Sequence, residues 1–288
     1  MKCFYHSADL DGHCSGAIVK YTYPECEMIG INYGQEFPWK SISPGEKVFM
    51  VDFTLQPFDQ MEELKRRADL IWIDHHKTAI DERDNLNSIY EGIQRIGIGA
   101  CALVWEYLHG KAELVGKVGE AIQLLAEYDV WNHTNPKTLA FQYGFRMFEN
   151  TYPDNQELWK EFIEPCERVD EVVDLGKNIL IYESRQNAKF CSAYSFETDI
   201  QTGRGVKFKA ICCNRGFTNS QLFDSVWDPE KYDLMITFCR LKPPAHKWTV
   251  SMYTTKPGID CGVIAKSFGG GGHVGAAGFQ CKNLPFKY

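Results

Sequence analysis

The residues with the most chemical content lie where short apolar runs end. Leu70–Ile73 (LIWI) leads directly into Asp74, His75 and His76. Lys47–Val51 (KVFMV) leads into Asp52, and Lys2–Tyr5 (KCFY) into His6-Ser-Ala-Asp9-Leu-Asp11-Gly12. Carboxylates mixed with a few imidazoles suit Mn2+, Mg2+ and related divalent ions better than sulfur-seeking metals. Two such ions about 3.5–4 Å apart, sharing a bridging carboxylate, can activate a water between them. One more acid is available in LLAEYDVWNH. Asp129 ends an apolar helical stretch, where the helix dipole disfavours an anion unless a cation compensates. His133, four residues on, reads as a packed or capping histidine.

Each piece alone has a plainer explanation. A single aspartate after a strand is usually a helix cap or turn residue, which would suffice for Asp52. Asp9 and Asp11 share a spacing that is common by chance, and adjacent histidines such as His75 and His76 are more often a surface feature. Taken together they resist that explanation. In a parallel α/β sheet the carboxyl ends of neighbouring strands converge on one edge, where ligands bind.

The elements that must position these residues alternate along the chain. Helical stretches at Cys14–Tyr21 and Phe58–Arg67 separate the three strands, and amphipathic helices are expected at Gly99–Leu108 and Lys117–Tyr128. That order points to α/β architecture with parallel strands and crossover helices. A polar helix over Val169–Lys189 fits a connection between domains. Beyond it come the β-rich runs VKFKAICC, YDLMITFC and KWTVSMY, then IAKSFGGGGHVGAAGF. The expected organisation is an N-terminal parallel-sheet domain over 1–168, a linker helix over 169–192 and a smaller α/β domain over 193–288, with the active site in the cleft between domains.

A chain of 288 residues, 44% hydrophobic, is long enough for two cores. The formal charge of −7 argues against a grip on long nucleic acid. The 11 cysteines include no CxxC pair, so reduced thiols in a cytoplasm are expected and cysteine-held zinc is not. No run has the length of a membrane span and the first residues lack a signal-peptide core. The four glycines Gly269–Gly272 are flanked by apolar residues rather than by linker-like Ser, Pro or charge. Close backbone approach to an anion beside His273 is the expectation.

HSADLDG, VDFT, IDHHKTA and AEYDVW, in that order, resemble the four motifs of the DHH phosphoesterase superfamily. GGGGHVGAAGF resembles the glycine-histidine signature of the DHH-associated domain, found in nano-RNase (oligoribonuclease) and cyclic-dinucleotide phosphodiesterase members. The resemblance spans residues 6 to 279, and its five ordered motifs are specific where the tripeptide DHH is not. It implies two divalent ions, Mn2+ ahead of Mg2+ or Co2+. His6, Asp9 and Asp52 would hold one ion; Asp11, the shared Asp52, His75 and Asp129 the other. Asp74 would orient an imidazole ligand, and His76 would face the substrate phosphate. Asp52, Asp74 and His76 are thus the implied catalytic set, with His76, Gly270, Gly271, Gly272 and His273 binding substrate.

Two positions depart from the family pattern. His6 precedes Asp9 by three residues where several members have four, and Ser251-Met252-Tyr253 stands where an SLR-like pattern carries an arginine, leaving Arg240 or Arg215 to compensate. The implied activity is hydrolysis of short oligonucleotides, linear or cyclic dinucleotides or nucleoside bisphosphates to mononucleotides, through a water activated between two ions. A small nucleotide partner, no membrane, cytoplasmic location and a homodimer are all compatible with it. The alternatives are an inorganic pyrophosphatase-like hydrolase and a non-catalytic nucleotide-binding regulator.

Overall fold

In the computed structural model, residues 1–110, 119–164, 168–203 and 205–288 are described, and the chain divides into two units, Met1–Leu180 and Ile181–Tyr288. The first unit opens with β1 (Lys2–His6), α1 (Leu10–Thr22), β2 (Glu27–Ile31), β3 (Lys47–Val51), α2 (Asp59–Arg67) and β4 (Asp69–Ile73). Its four strands are all parallel, in the order β2-β1-β3-β4. α3 (Lys77–Asn85), α4 (Ala100–His109), α5 (Glu120–Asp129), α6 (Thr138–Phe145) and α7 (Gln156–Ile163) follow, and α8 (Arg168–Tyr194) passes from the first unit into the second.

Side chains of the central strands alternate between two cores, as parallel strands covered on both faces require. Cys3, Tyr5, Phe49, Val51, Ile71 and Ile73 pack on the side of α1, α4, α5 and α6. Phe4, Val48, Met50, Leu70 and Trp72 pack on the other, against Met61 and Leu64 of α2. β2 was not expected from sequence. Its EMIGI run leaves Glu27 and Gly30 exposed, so it reads as a weak edge strand. The helix expected from Cys14 starts earlier, at Leu10, because Asp9 caps it by accepting from the Gly12 amide at 2.9 Å. Residues 117 and 118 of the expected Lys117–Tyr128 helix lie outside the described residues; its remainder corresponds to α5.

The second unit contains β5 (Phe196–Gln201), β6 (Lys207–Cys213), β7 (Leu234–Arg240), β8 (Trp248–Tyr253), α9 (Cys261–Lys266), β9 (Gly271–Gly272) and β10 (Ala276–Cys281). They form one six-stranded sheet in the order β5-β6-β7-β8-β10-β9, antiparallel except for the β6/β7 pair. Among the described residues, no helix is long and apolar enough to cross a membrane. Their cysteines are all free thiols.

Gly12 is where sequence and packing meet most tightly in the first unit. A Cβ there would lie 2.0 Å from the carbonyl oxygen of His6, so α1 can sit against the end of β1 only with glycine. Gly12→Ala is expected to destabilise the first unit by about 1–3 kcal/mol through overpacking. Denaturant titration of the variant checks this, and an unchanged midpoint would show that α1 yields freely.

Candidate metal centre

The strand register brings the polar strand ends level. Tyr5 pairs with Val51 and Val51 with Ile73, so the next residue of each strand, His6, Asp52 and Asp74, emerges at the same edge. The Asp52 amide is still held by the Ile73 carbonyl at 2.9 Å, but its φ of 54° turns the backbone sharply there. A left-handed aspartate at a strand end is the kind of local strain that accompanies a functional position.

Ligand atoms gather around His6 and around His75, and Asp52 reaches both; a further group joins Asp52 and His75 to Asp74 and His76. Asp52 Oδ2 lies 3.6 Å from His6 Nδ1, which is also 2.9 Å from Asp9 Oδ2. Its Oδ1 lies 3.2 Å from His75 Nε2, which is also 3.1 Å from Asp129 Oδ2 and 3.8 Å from Asp11 Oδ2. The shortened spacing from His6 to Asp9 therefore does not keep His6 away. Asp11 enters from α1 and accepts from the amides of Ala100 and Cys101 at 2.6 and 2.8 Å, capping α4 while its carboxylate stays beside His75. His13 is not part of the centre. Its ring nitrogens are engaged by Thr151 Oγ1 and the Ser7 carbonyl.

These close approaches are poorly directed as hydrogen bonds. His6 Nδ1, Asp52 Oδ1 and His75 Nε2 are buried, and none has a hydrogen-bond partner. Buried polar atoms are rarely left so, and here they face one another across a gap that a cation would satisfy. The donors are carboxylate oxygens and imidazole nitrogens without a thiolate, the set that suits Mn2+ or Mg2+.

Electrostatics without an ion point the same way. Burial and the Asp52 and Asp129 carboxylates push Asp11 well above the ordinary carboxylate range. Burial and Asp9 raise Asp52 too. Burial opposes charge on His75, yet the Asp129, Asp52 and Asp11 carboxylates outweigh it and lift its pKa to about 12. On His6, burial is likewise outweighed by Asp52 and Asp9, giving about 10. Protons thus occupy the place of missing positive charge.

The triplet after β4 divides its work differently from the expectation. Asp74 is fully buried and does not touch the His75 ring; it orients His76 instead. Its Oδ1 accepts from the His76 ring Nδ1 at 2.6 Å and from the amides of His75 and His76. Its Oδ2 accepts from Thr54 Oγ1 at 2.5 Å and from Trp72 Nε1 at 3.3 Å. Despite burial, His76 holds Asp74 far below the ordinary range, and Asp74 in turn lifts His76 to about 9. Thr54 was missed from sequence. Its position two residues after Asp52 in VDFT was the available signal.

In the second unit, the glycine run is largely explained by packing. A Cβ at Gly270 would lie 2.1 Å from the Gly278 carbonyl, and one at Gly272 2.6 Å from Ala277. Gly271, between them, faces open space. The His273 amide donates to the Ala276 carbonyl at 2.7 Å, fixing the turn into β10. Of the two arginines considered as replacements near Tyr253, Arg240 is at the wrong end of the sheet. It pairs with Trp248, five residues along β8 from Tyr253. Arg215 lies closer in the fold, held by Asn187 Oδ1 at 2.8 Å and stacked on Phe190, whose cluster Tyr253 joins.

Metal binding must displace the protons on His6 and His75. Between pH 6 and 9, apparent Mn2+ affinity is therefore expected to rise by about tenfold per pH unit for each proton released. Titration calorimetry in buffers of different ionisation enthalpy counts those protons, and a count of zero would contradict the arrangement.

No protein-family model matches the chain. An uncharacterized protein of Acanthamoeba polyphaga mimivirus is 26% identical over 260 residues, which are 84% of this chain and 56% of that protein. The chain thus spans little more than half the length of that relative. Among solved structures, a pGpG-specific phosphodiesterase from Vibrio cholerae matches with a TM-score of 0.57 at 12% identity, covering 97% of this chain and 92% of the other. An exopolyphosphatase-related protein from Bacteroides fragilis gives 0.57 at 14% identity, covering 98% and 87%. The DHH domain of a protein assigned to a family of ribosomal proteins gives 0.53 at 13%, covering 97% and 82%. With strand ends that deliver His6, Asp52 and the Asp74-His75-His76 triplet to one edge, the chain shares the fold of these three structures, one of them a DHH domain.

Proposed function

We propose that this chain is a metal-dependent phosphoesterase that hydrolyses a small nucleotide substrate, of which a linear dinucleotide such as pGpG is the leading candidate. The observation that carries the reading is the position of Asp52, which offers one oxygen to the His6/Asp9 group and the other to the His75 group. That is the geometry of a carboxylate shared by two cations. Bound there, two divalent ions, Mn2+ by preference, would supply an acidified water and neutralise charge on the phosphoryl group.

The protein's own groups have distinct jobs in this scheme. His6, Asp9, Asp11, Asp52, His75 and Asp129 bind the ions, and the amides of α4 fix Asp11 in place. Asp74 keeps the His76 ring oriented, with Thr54 and Trp72 holding Asp74 from behind. His76, part exposed and favoured as imidazolium by Asp74, donates to a phosphoryl oxygen and offsets its developing charge. In the second unit, Gly271 and His273 are assigned to substrate binding, on a turn that Gly270 and Gly272 shape.

A panel of linear dinucleotides, cyclic dinucleotides, longer oligomers, nucleoside bisphosphates and pyrophosphate, each with Mn2+, tests the substrate class. The linear dinucleotides are expected to turn over fastest. Faster release of phosphate from pyrophosphate would favour an inorganic pyrophosphatase, and binding without turnover a regulator. Asp52→Ala should lower kcat by more than about 100-fold, exceeding the usual effect of losing a group that only supports a ligand. Near-normal turnover in that variant would remove the shared-carboxylate assignment. His273→Ala should raise KM with a smaller loss in kcat, and an unchanged KM would exclude its role in holding substrate.

A further inference from the structure

A cavity of about 240 Å³ in the first unit adjoins the metal centre through Asp9. Its walls include His13, Gln142, Arg146, Phe148 and Thr151. It is large enough for several waters or one compact polar group. None of these wall residues other than Asp9 belongs to the ligand groups described above.

The wall residues give the cavity a positive, donor-rich side. Arg146, just beyond α6, is exposed, and no carboxylate lies within ion-pair distance of it among the described residues. Its guanidinium is nevertheless held in place. It stacks on the rings of Tyr128 and Tyr143, at 5.4 and 5.3 Å, and donates to the Tyr128 hydroxyl at 3.3 Å. A fixed guanidinium without a carboxylate partner has little freedom still to be lost on meeting an anion.

Gln142, one turn earlier on α6, supplies the second observation. It is 3% exposed and its Oε1 has no hydrogen-bond partner, although it lines the cavity. A buried amide normally finds partners, so an orphaned one at a cavity wall points to an occupant with polar atoms. Amide oxygen and nitrogen are interchangeable by rotation, so Gln142 can present two N–H donors to an acceptor there. The opposite wall is set. His13 holds both Thr151 Oγ1, at 2.9 Å, and the Ser7 carbonyl, at 3.2 Å, so neither ring nitrogen needs the occupant.

We propose that this cavity is an anion subsite that receives a second phosphoryl group of the substrate, bound by the Arg146 fork and the Gln142 amide. The inference rests on the phosphoesterase reading above and narrows it. Cations bound at Asp9 would neutralise the carboxylate on the cavity wall. A phosphate monoester offers pairs of oxygens that the planar fork of arginine can meet with two parallel hydrogen bonds. The favoured ligands therefore carry a terminal phosphate besides the phosphoryl group at the metal centre, as nucleoside bisphosphates and 5′-phosphorylated dinucleotides do.

Binding, rather than turnover, tests this. Titration calorimetry with the Mn2+-loaded protein compares adenosine 5′-monophosphate with a bisphosphate analogue whose bridging 3′-oxygen is replaced by methylene. The bisphosphate should bind at least about tenfold more tightly, the worth of one charge-assisted contact. Arg146→Ala should bring the two affinities together, Arg146→Lys should leave an intermediate ratio, and Gln142→Leu should lower the ratio with thermal unfolding confirming the fold. A ratio near one in the parent protein, or a ratio unchanged by Arg146→Ala, overturns the subsite. Hydrolysis of unmodified dinucleotides is scored separately. Its absence would count against the phosphoesterase reading, while the affinity ratio would still decide the subsite.

Discussion

Four carboxylates and two imidazoles crowded at one sheet edge set the terms for the first unit. Asp11, Asp52 and His75 are almost wholly buried, and burying charge is expensive unless it is compensated. Without cations the chain compensates with protons, raising His6 and His75 and pushing Asp11 and Asp52 toward their neutral forms. Such an arrangement stabilises nothing by itself; apolar residues of similar volume would pack there at lower cost. Its persistence makes sense as stored affinity for positive charge, delivered wherever divalent ions are present.

The surrounding fold keeps that unfavourable cluster assembled. Parallel register makes His6, Asp52 and Asp74 level, and the two apolar cores on either face of the sheet hold the register. A slip of one residue would send Phe4 and Trp72 into the core that holds Phe49, and Phe49 into theirs, undoing the packing of both. Asp11 adds a further tie, because capping α4 couples the helix that begins at Ala100 to the metal edge. Gly12 lets α1 come close enough to β1 for that cap to form.

Much of this was legible in sequence because it depends on strand ends, and apolar runs that stop at Asp or His are visible without coordinates. The part that was not legible depends on side-chain direction. Strand alternation puts Asp74 on the same face as Trp72, under the sheet with Thr54, and away from the face where His75 meets Asp11 and Asp129. The expectation that Asp74 would support the ligand His75 overlooked this alternation; it supports His76. β2 escaped because an edge strand with an exposed Glu27 and Gly30 has no apolar alternation to read. Arg146 and Gln142 escaped for a different reason. They lie far along the chain from Asp9, and only the packing of α6 near α1 brings them to one cavity.

The glycine run shows how one stretch can serve fold and function through different residues. Gly270 and Gly272 are required by neighbouring backbone, since a side chain at either would collide with β10. Their presence says nothing about a ligand. Gly271 is different, because nothing lies within 4 Å of where its Cβ would be, and the fold alone would tolerate alanine there. If the run approaches a substrate, the approach is made at Gly271, where a missing side chain leaves room that the protein does not fill. Identical letters therefore carry two messages. The demand at Gly270 and Gly272 is steric and internal to the second unit, whereas at Gly271 the neighbouring atoms make none.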